Sequence, residues 1–374
     1  MQKCDFLIIG AGIAGASAGY FLSPHGRTII LEREDVPGYH TTGRSAAFYA
    51  ETYGNAIIQR LTTASKKFFF HPPEGFSSVP LVSGRGALYV LSTGQEDLWK
   101  STLADMQARV PAVYAMTADE VLACVPSLRR ERIIGGIMDP DCQDIDVHAV
   151  HQGYLSGLRQ QGGRVVTSAD VRGLHQLDDS WVVKTAAGDF YAKNIINAAG
   201  AWGDEIAQKA GVEPLGLLPK RRTIIVCPVS GGMVNRDMPL TLNIPETLYF
   251  KPEGEGLLVS PADESPSAPC DAQPEEFDVA LTVDRLQQST AYEVDQVTRK
   301  WAGLRTFLTD RTPVAGYDAA ASGFFWCVGQ GGYGIQTSPA IGMFVAGLIT
   351  EGKVPDYLAA HGITAETLSP GRFV

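Results

Sequence analysis

An apolar stretch, Phe6-Leu7-Ile8-Ile9, runs directly into Gly10-Ala11-Gly12-Ile13-Ala14-Gly15, and the next apolar stretch, Thr28-Ile29-Ile30-Leu31, ends on Glu32. These residue types at this spacing suit recognition of an adenine dinucleotide. Gly10 permits a tight turn, Gly12 lets backbone N–H groups approach a pyrophosphate, and Gly15 lets the following helix pack on the strand. That helix, read over Ala14–Leu22 from its small residues, offers unpaired N–H groups and the positive end of its dipole to a phosphate. Glu32 is placed to accept hydrogen bonds from ribose hydroxyls. A glycine pattern alone is weak; strand, turn, helix, strand and acid in order form one unit.

Metal chemistry finds little support. The six cysteines (Cys4, Cys124, Cys142, Cys227, Cys270, Cys327) are scattered and make no Cys-x-x-Cys pair. His148 and His151 share one helical face but lack a third ligand at metal spacing, so no metal is expected.

The elements that must position these residues follow from patterning. Residues 36–54 read as a glycine- and hydroxyl-rich loop that becomes a short helix. Ala56–Phe70 reads as an amphipathic helix with Ile57, Leu61 and Phe68 on one side. Ala87–Leu91 and Gly135–Met138 read as strands, and residues 94–123 as two helices broken near Pro111. A helix over His148–Gln161 ends at Gly162-Gly163, and a strand follows at Val165-Val166. Trp181–Thr185 and Phe190–Ala192 flank Ala187-Gly188-Asp189 as a hairpin, before a buried strand at Asn194–Asn197. Residues 213–300 carry longer strands, more prolines and a polar loop, which suggests an inserted antiparallel sheet; residues 301–350 return to strand–loop–helix character. The expected class is α/β with an α+β insertion. Residues 1–80, 140–212 and 301–374 would form a Rossmann-like cofactor domain, and 81–139 and 213–300 a substrate domain with a mostly antiparallel sheet.

Composition narrows the function. The 374 residues carry a net charge of −10, which argues against nucleic acid or an anionic membrane as a partner. No apolar run reaches the ~20 residues that span a bilayer. Residues 4–9 are a strand rather than a leader, so a cytoplasmic location is expected, with peripheral attachment to the inner membrane compatible with it.

Four stretches resemble the D-amino-acid oxidase and glycine oxidase superfamily of FAD-dependent oxidoreductases. They are the Gly10–Gly15 motif with Glu32; Thr42-Gly43-Arg44-Ser45-Ala46; Asn197-Ala198-Ala199-Gly200-Ala201-Trp202; and Trp301-Ala302-Gly303-Leu304-Arg305 with Gly329-Gln330-Gly331-Gly332-Tyr333-Gly334-Ile335-Gln336-Thr337. Within it, Pro37-Gly38-Tyr39-His40 and Leu218-Pro219-Lys220-Arg221-Arg222 look like bacterial D-arginine dehydrogenase-type D-amino-acid dehydrogenases. The resemblance implies extended, non-covalent FAD. Its contacts would come from Gly10, Gly12, Ile13, Ala14, Gly15, Glu32 and Arg33, then Thr42, Gly43, Arg44, Ser45, Ala46 and Ala47, then Val171, Ala199, Gly200 and Trp202. Arg305, Gly331, Gly332, Tyr333, Gly334, Ile335, Gln336 and Thr337 complete the set. Four glycines within residues 329–334 leave room for a flat ring, and the helix begun by Ile335, Gln336 and Thr337 can stabilise negative charge on it. Arg44 has a surface charge as its alternative reading.

The implied reaction is oxidative deamination of a D-amino acid, with hydride passing from Cα to the flavin and the imine hydrolysing to a keto acid and ammonia. Arginine suits a carboxylate clamp because its planar fork makes two parallel bonds. Arg222 and Arg305 are the candidates, with Tyr53 and Tyr249 as hydroxyl donors and walls. Arg222 follows Lys220 and Arg221, so one of the three could simply be solvated, and Tyr249 could be ordinary strand packing. No strong general base stands out. Two departures from the D-arginine type matter: Ala87 stands where a pocket carboxylate is found, and Phe48 replaces a histidine. A third is Thr306 after Arg305, where many relatives have proline. With Phe48, Ala87 and Gly332 as walls, a neutral, apolar D-amino acid is the expected substrate, with a quinone or oxygen as electron acceptor. The alternatives are a glycine- or sarcosine-type amine oxidase using oxygen, a 2-hydroxy-acid dehydrogenase, and a flavoprotein subunit without turnover of its own.

Overall fold

The strand Gln2–Ile9 is the centre of the first sheet in this computed structural model, which describes residues 2–373. It pairs in parallel with Gly188–Asn197 on one side and Thr28–Leu31 on the other. Arg164–Val166 extends the sheet beyond Thr28–Leu31, and Phe324–Val328 runs parallel to the end of Gly188–Asn197. Phe6 and Ile8 join one apolar layer and Leu7 and Ile9 the other, the alternation that a strand covered on both faces requires. Helices Ile13–Leu22, Val147–Gln160 and Gly334–Glu351 fill the first layer. All five parallel strands end at one edge, where the loops after residues 9, 31, 166, 197 and 328 converge.

The second sheet runs, in order, Ser265–Pro266, Leu218–Cys227, Gly256–Ser260, Tyr249–Glu253, Leu240–Asn243, Ala87–Ser92, Ile133–Asp139 and Tyr114–Thr117. Arg299–Phe307 pairs along Leu218–Cys227 over nine residue pairs. Every pairing is antiparallel except Leu240–Asn243 with Ala87–Ser92. A small third sheet joins Phe48–Tyr49, Gln143–Ile145 and Val82–Gly84.

Four details differ from the sequence reading. Residues 36–54 contain no helix and include the short strand Phe48–Tyr49. Their polar groups are committed elsewhere: Ala50 N–H donates to Gln336 Oε1 (3.2 Å) and Thr52 Oγ1 to Asp139 Oδ2 (2.7 Å). Between helices Glu96–Gln107 and Ala118–Cys124 lies the strand Tyr114–Thr117, because Ile133–Asp139 offers it an edge to pair with. Residues 301–307, expected with the cofactor domain, lie in the second sheet; their pairing with Leu218–Cys227 outweighs the strand–loop–helix pattern that follows them. The helix Ala56–Phe70 has the expected bounds, but it buries Ile58, Leu61 and Phe69, while Ile57 and Phe68 lie at the margin.

Gly15 illustrates how tightly the opening unit is closed: a Cβ there would overlap the Gly10 carbonyl oxygen. The Gly15→Ala variant is therefore expected to lose about 1–3 kcal/mol of stability by overpacking, read as a lower urea midpoint with an unchanged slope.

Candidate active site

The converging loops enclose a cavity with about 1490 Å³ of empty space, its open mouth included. Gly10 sits at φ +103°, and a Cβ there would lie 2.5 Å from the Ala198 carbonyl oxygen, so the two loops touch through backbone. Glu32 Oε2 accepts the Ala11 N–H at 2.8 Å and Oε1 the Glu34 N–H at 3.0 Å. The carboxylate is thus pinned, with its second lone pairs left for a ligand. The first helix is capped by Gly12 with no side-chain bond. Thr42 Oγ1 takes the Ile13 N–H at 2.9 Å, and the amide of Ala14, a cavity-lining residue, lies beyond it. Helix Gly334–Glu351 also begins without a side-chain cap. Arg33 lies 4.3 Å over the Trp202 ring, giving the far end a flat wall.

Most of the residues expected around a cofactor line this cavity. They are Gly10, Gly12, Ile13, Ala14, Glu32, Arg33, Thr42, Arg44, Ser45, Ala46, Val171, Ala199, Gly200, Trp202, Arg305, Gly331, Gly332, Gly334 and Ile335. Gly15, Gly43, Ala47, Tyr333, Gln336 and Thr337 stand behind it. Gly43 closes a turn by donating to the Gly38 carbonyl at 2.7 Å. The Ala47 carbonyl takes the Ile145 N–H at 3.1 Å, and Thr337 Oγ1 donates to the Tyr333 carbonyl at 2.9 Å. The Arg44 guanidinium is directed at protein: it donates to the Ala272 (2.8 Å) and Ala302 (3.1 Å) carbonyls and pairs with Asp271. What Arg44 offers the cavity is backbone and stem.

The second sheet presents one face to this region. Pairings Lys220 with Arg305 and Arg222 with Gly303 put both arginines on that face. Tyr249, Leu242 and Tyr89 share it through successive partners, and Ala87 and Leu240 lie two positions further along their strands. Arg222, Ile224, Arg305 and Gly332 line the cavity directly. Phe48, Tyr53, Ala87 and Tyr249 pack together with Leu240 and Leu242 in an adjoining apolar cluster. The structure therefore gathers all four predicted substrate residues on one side of the cavity, two at its wall and two beside it.

The two arginines differ in freedom. Arg222 Nε donates to the Asp263 carbonyl at 2.8 Å, and its Nη2 lies 3.5 Å from Glu264 Oε1. Arg305 is half-buried and its one side-chain hydrogen bond, to Tyr53 Oη, is long at 3.4 Å; no carboxylate pairs with it among the described residues. Its guanidinium lies against Gly332, where a Cβ would sit 2.8 Å from Nη1. A desolvated guanidinium with idle donors is set to receive a carboxylate.

Sequence reasoning missed the groups behind the arginines. Glu264 collects Lys220 (2.9 Å) and Arg311 (2.7 Å) as well as Arg222. Arg311's hydrogen bonds above all, then those of Lys220, hold its carboxyl down at about 2 against the opposing effect of burial. Asp139, fully buried, accepts from Thr52 and, at 3.1 Å, from Asp141 N–H, and burial raises its pKa against those two bonds. Only the polar character of residues 262–276 hinted at the Glu264 hub; partners this far apart in sequence leave no local signal.

The histidine pair divides: His148 is exposed and His151 is buried. No cluster of three metal-type ligands occurs among the described residues. Cys327, near the glycine cluster, is buried, and burial pushes its thiol up to about 12, a poor nucleophile. No described helix is long and apolar enough to cross a membrane.

Comparison with known proteins gives these features a setting. A family model described as DAO, FAD dependent oxidoreductase, matches residues 5–348. The chain is 24% identical over 372 residues to glycine oxidase of Bacillus subtilis, covering 96% of each. It is 22% identical over 380 residues to the mitochondrial dimethylglycine dehydrogenase of Rattus norvegicus, spanning 95% of this chain but only 44% of that relative's length. In structure it resembles L-proline dehydrogenase of P. horikoshii, with a TM-score of 0.81 at 19% identity, covering 100% of this chain and 98% of the other.

The Glu264 hub carries a pH signature. Its folded pKa of about 2 lies below the ordinary 4.5, so its stabilisation is complete above the ordinary value and is lost as pH falls towards the folded one. Chemical denaturation of wild type and Glu264→Gln should therefore differ clearly at about pH 7 and converge only as the pH falls to about 2 and below. A stability gap that is constant with pH would contradict the ion-pair origin.

Proposed function

This chain belongs to the FAD dependent oxidoreductase family, and on that premise we propose that it oxidises the α-amine of D-amino acids with neutral, apolar side chains. The observation that carries this reading is Arg305, a cavity-lining guanidinium with no carboxylate partner among the described residues, beside Arg222. Bound FAD supplies a two-electron acceptor. Its fit to the cavity is supported by the pinned Glu32, the first helix start, where only the Ile13 N–H is taken by a side chain, the uncapped start of Gly334–Glu351 and the backbone contact at Gly10.

In this reading the substrate carboxylate forms two bonds with Arg305, and Arg222 and Tyr53 complete the clamp. Tyr249, one row along the sheet face, closes the amine side. The α-hydrogen leaves as hydride, the nitrogen lone pair forms the C=N bond, and one of the two amine protons goes to water. Water then hydrolyses the imine to a 2-oxo acid and ammonia. Two of the carboxylates near the clamp already hold partners: Asp263 accepts from Thr223 and Glu264 from Lys220 and Arg311. Glu246 also lies within electrostatic reach of Arg222 and Arg305, and desolvation raises the pKa of its carboxyl, so a proton-accepting group stands near the clamp. Ala87, Leu240 and Leu242 give the side chain an apolar floor, and Asp139, the cross-strand partner of Ala87, is already engaged by Thr52 and the Asp141 N–H. Likeness to bacterial D-arginine dehydrogenase-type enzymes supports the D configuration, and Ala87 and Phe48 support the change of side chain.

The second reading, a small-amine oxidase reoxidised by oxygen, is favoured by the full-length likeness to glycine oxidase. Both are tested by anaerobic titration with D- and L-amino acids, glycine and sarcosine, following flavin absorbance near about 450 nm, and then admitting air. Bleaching by D-leucine, D-methionine or D-phenylalanine but not D-arginine is expected, with slow recovery in air for a dehydrogenase using a quinone-like acceptor. Bleaching by glycine and sarcosine with fast recovery would favour the oxidase, and bleaching by D-arginine alone would overturn the apolar pocket. In Arg305→Met, kcat/KM for the best substrate should fall about a hundredfold or more while the bound flavin spectrum persists. An unchanged kcat/KM would remove Arg305 from the clamp.

A further inference from the structure

We propose that His151 is a positioning residue for the cofactor: from the helix Val147–Gln160 its ring braces the two loops that form the FAD cradle. The ring is buried, with 4% of its surface exposed, and Nε2 lies 2.8 Å from the Ala11 carbonyl oxygen. Ala11 is the residue between the first two glycines of the dinucleotide turn. Its N–H is already held by Glu32 Oε2 at 2.8 Å, so Glu32 grips the residue at its N–H and His151 at its carbonyl. The carbonyl has no proton to give, so Nε2 carries the hydrogen. Burial lowers the ring's proton affinity against the pull of that carbonyl, which keeps the group a neutral donor.

The adjoining edge of the ring, Cε1 with Nδ1, meets the second loop. Gly38 has φ +77°, and a Cβ there would lie 2.9 Å from His151 Cε1. Gly38 in turn accepts the Gly43 N–H, and Thr42, next to Gly43, accepts the Ile13 N–H. The ring therefore fills the angle between residues 10–13 and 38–43, and Thr42 ties the two together. Phosphate recognition at a helix start depends on the direction of a few N–H groups. The Ala11–Gly12 peptide sets that direction, and His151 is bonded to the oxygen of this peptide. A core histidine serving only to fill space would need no hydrogen bond to the glycine turn.

The inference rests on family membership and FAD, and is independent of the substrate proposed above. The test is FAD release from purified holoenzyme, read by the fluorescence of the freed flavin, for wild type, His151→Phe and His151→Gln. Phe keeps bulk without a donor and should raise the FAD dissociation constant by about five- to a hundredfold; Gln restores an N–H and should recover most of the loss. Flavin reduction by dithionite at saturating FAD should be unchanged in both. If Phe folds poorly, His151→Asn, whose amide stops short of Ala11, replaces it in the contrast with Gln. Equal loss in the donor-bearing and donor-free variants, unchanged affinity in the donor-free one, or a drop in apoprotein melting temperature without any affinity change would each overturn the proposal. A wild-type protein that carries no flavin would instead defeat the cofactor assignment.

Discussion

The strand Arg299–Phe307 is held from two sides, and the cavity exists because of it. On one side it is zipped to Leu218–Cys227 in the second sheet. On the other it receives the loop after Glu32: Thr41 Oγ1 donates to the Leu304 carbonyl at 2.7 Å, and the Trp301 indole donates to the Arg44 carbonyl at 2.9 Å. Arg44 adds its bond to the Ala302 carbonyl. Each of these bonds satisfies a main-chain group that would be costly to leave bare. Together they fix the distance between a dinucleotide turn and the sheet face bearing two arginines. A one-residue slip of Arg299–Phe307 against Leu218–Cys227 would send Arg305 to the face opposite Arg222.

Electrostatics then divides labour along that face. Glu264 absorbs Lys220 and Arg311 and steadies Arg222, while Arg305 keeps its donors idle. A cluster in which every cation were paired would be more stable and would have nothing left to hold a substrate. Leaving one desolvated guanidinium unsatisfied is the kind of local cost that marks working sites. The row of Ala87, Leu240 and Leu242 beside it is apolar.

The loop from Phe48 to Asn55 serves both halves. Phe48–Tyr49 pairs with Gln143–Ile145, Ala50 is bonded to Gln336, Thr52 to Asp139, and Tyr53 reaches Arg305. Asn55 caps the following helix, accepting from the Ile57 and Ile58 N–H groups. So many anchors in eight residues explain why the segment adopts no helix, since its backbone and side chains are spoken for by neighbours.

Local pattern determined a good deal of this protein. The apolar strands, the glycine turn, the acid closing the second strand and the helix Ala56–Phe70 were legible because each depends on residues within a few positions of one another. The cofactor family was legible for the same reason: its motifs are short and intact. The side chains expected at the clamp were also named from sequence, yet the clamp's support was not. The strand Tyr114–Thr117, the membership of residues 301–307 in the second sheet, the diversion of the Arg44 guanidinium, the Glu264 hub and the seat of His151 all depend on partners far away along the chain. Thr41 and Leu304, or Ala11 and His151, meet only when the sheets are assembled, and no local periodicity encodes which of several arginines or histidines will find itself paired, free or buried. Which groups are candidates for the chemistry followed from residue type; which of them are left with donors to spare was decided by tertiary contacts, because satisfaction of a polar group is a property of its surroundings.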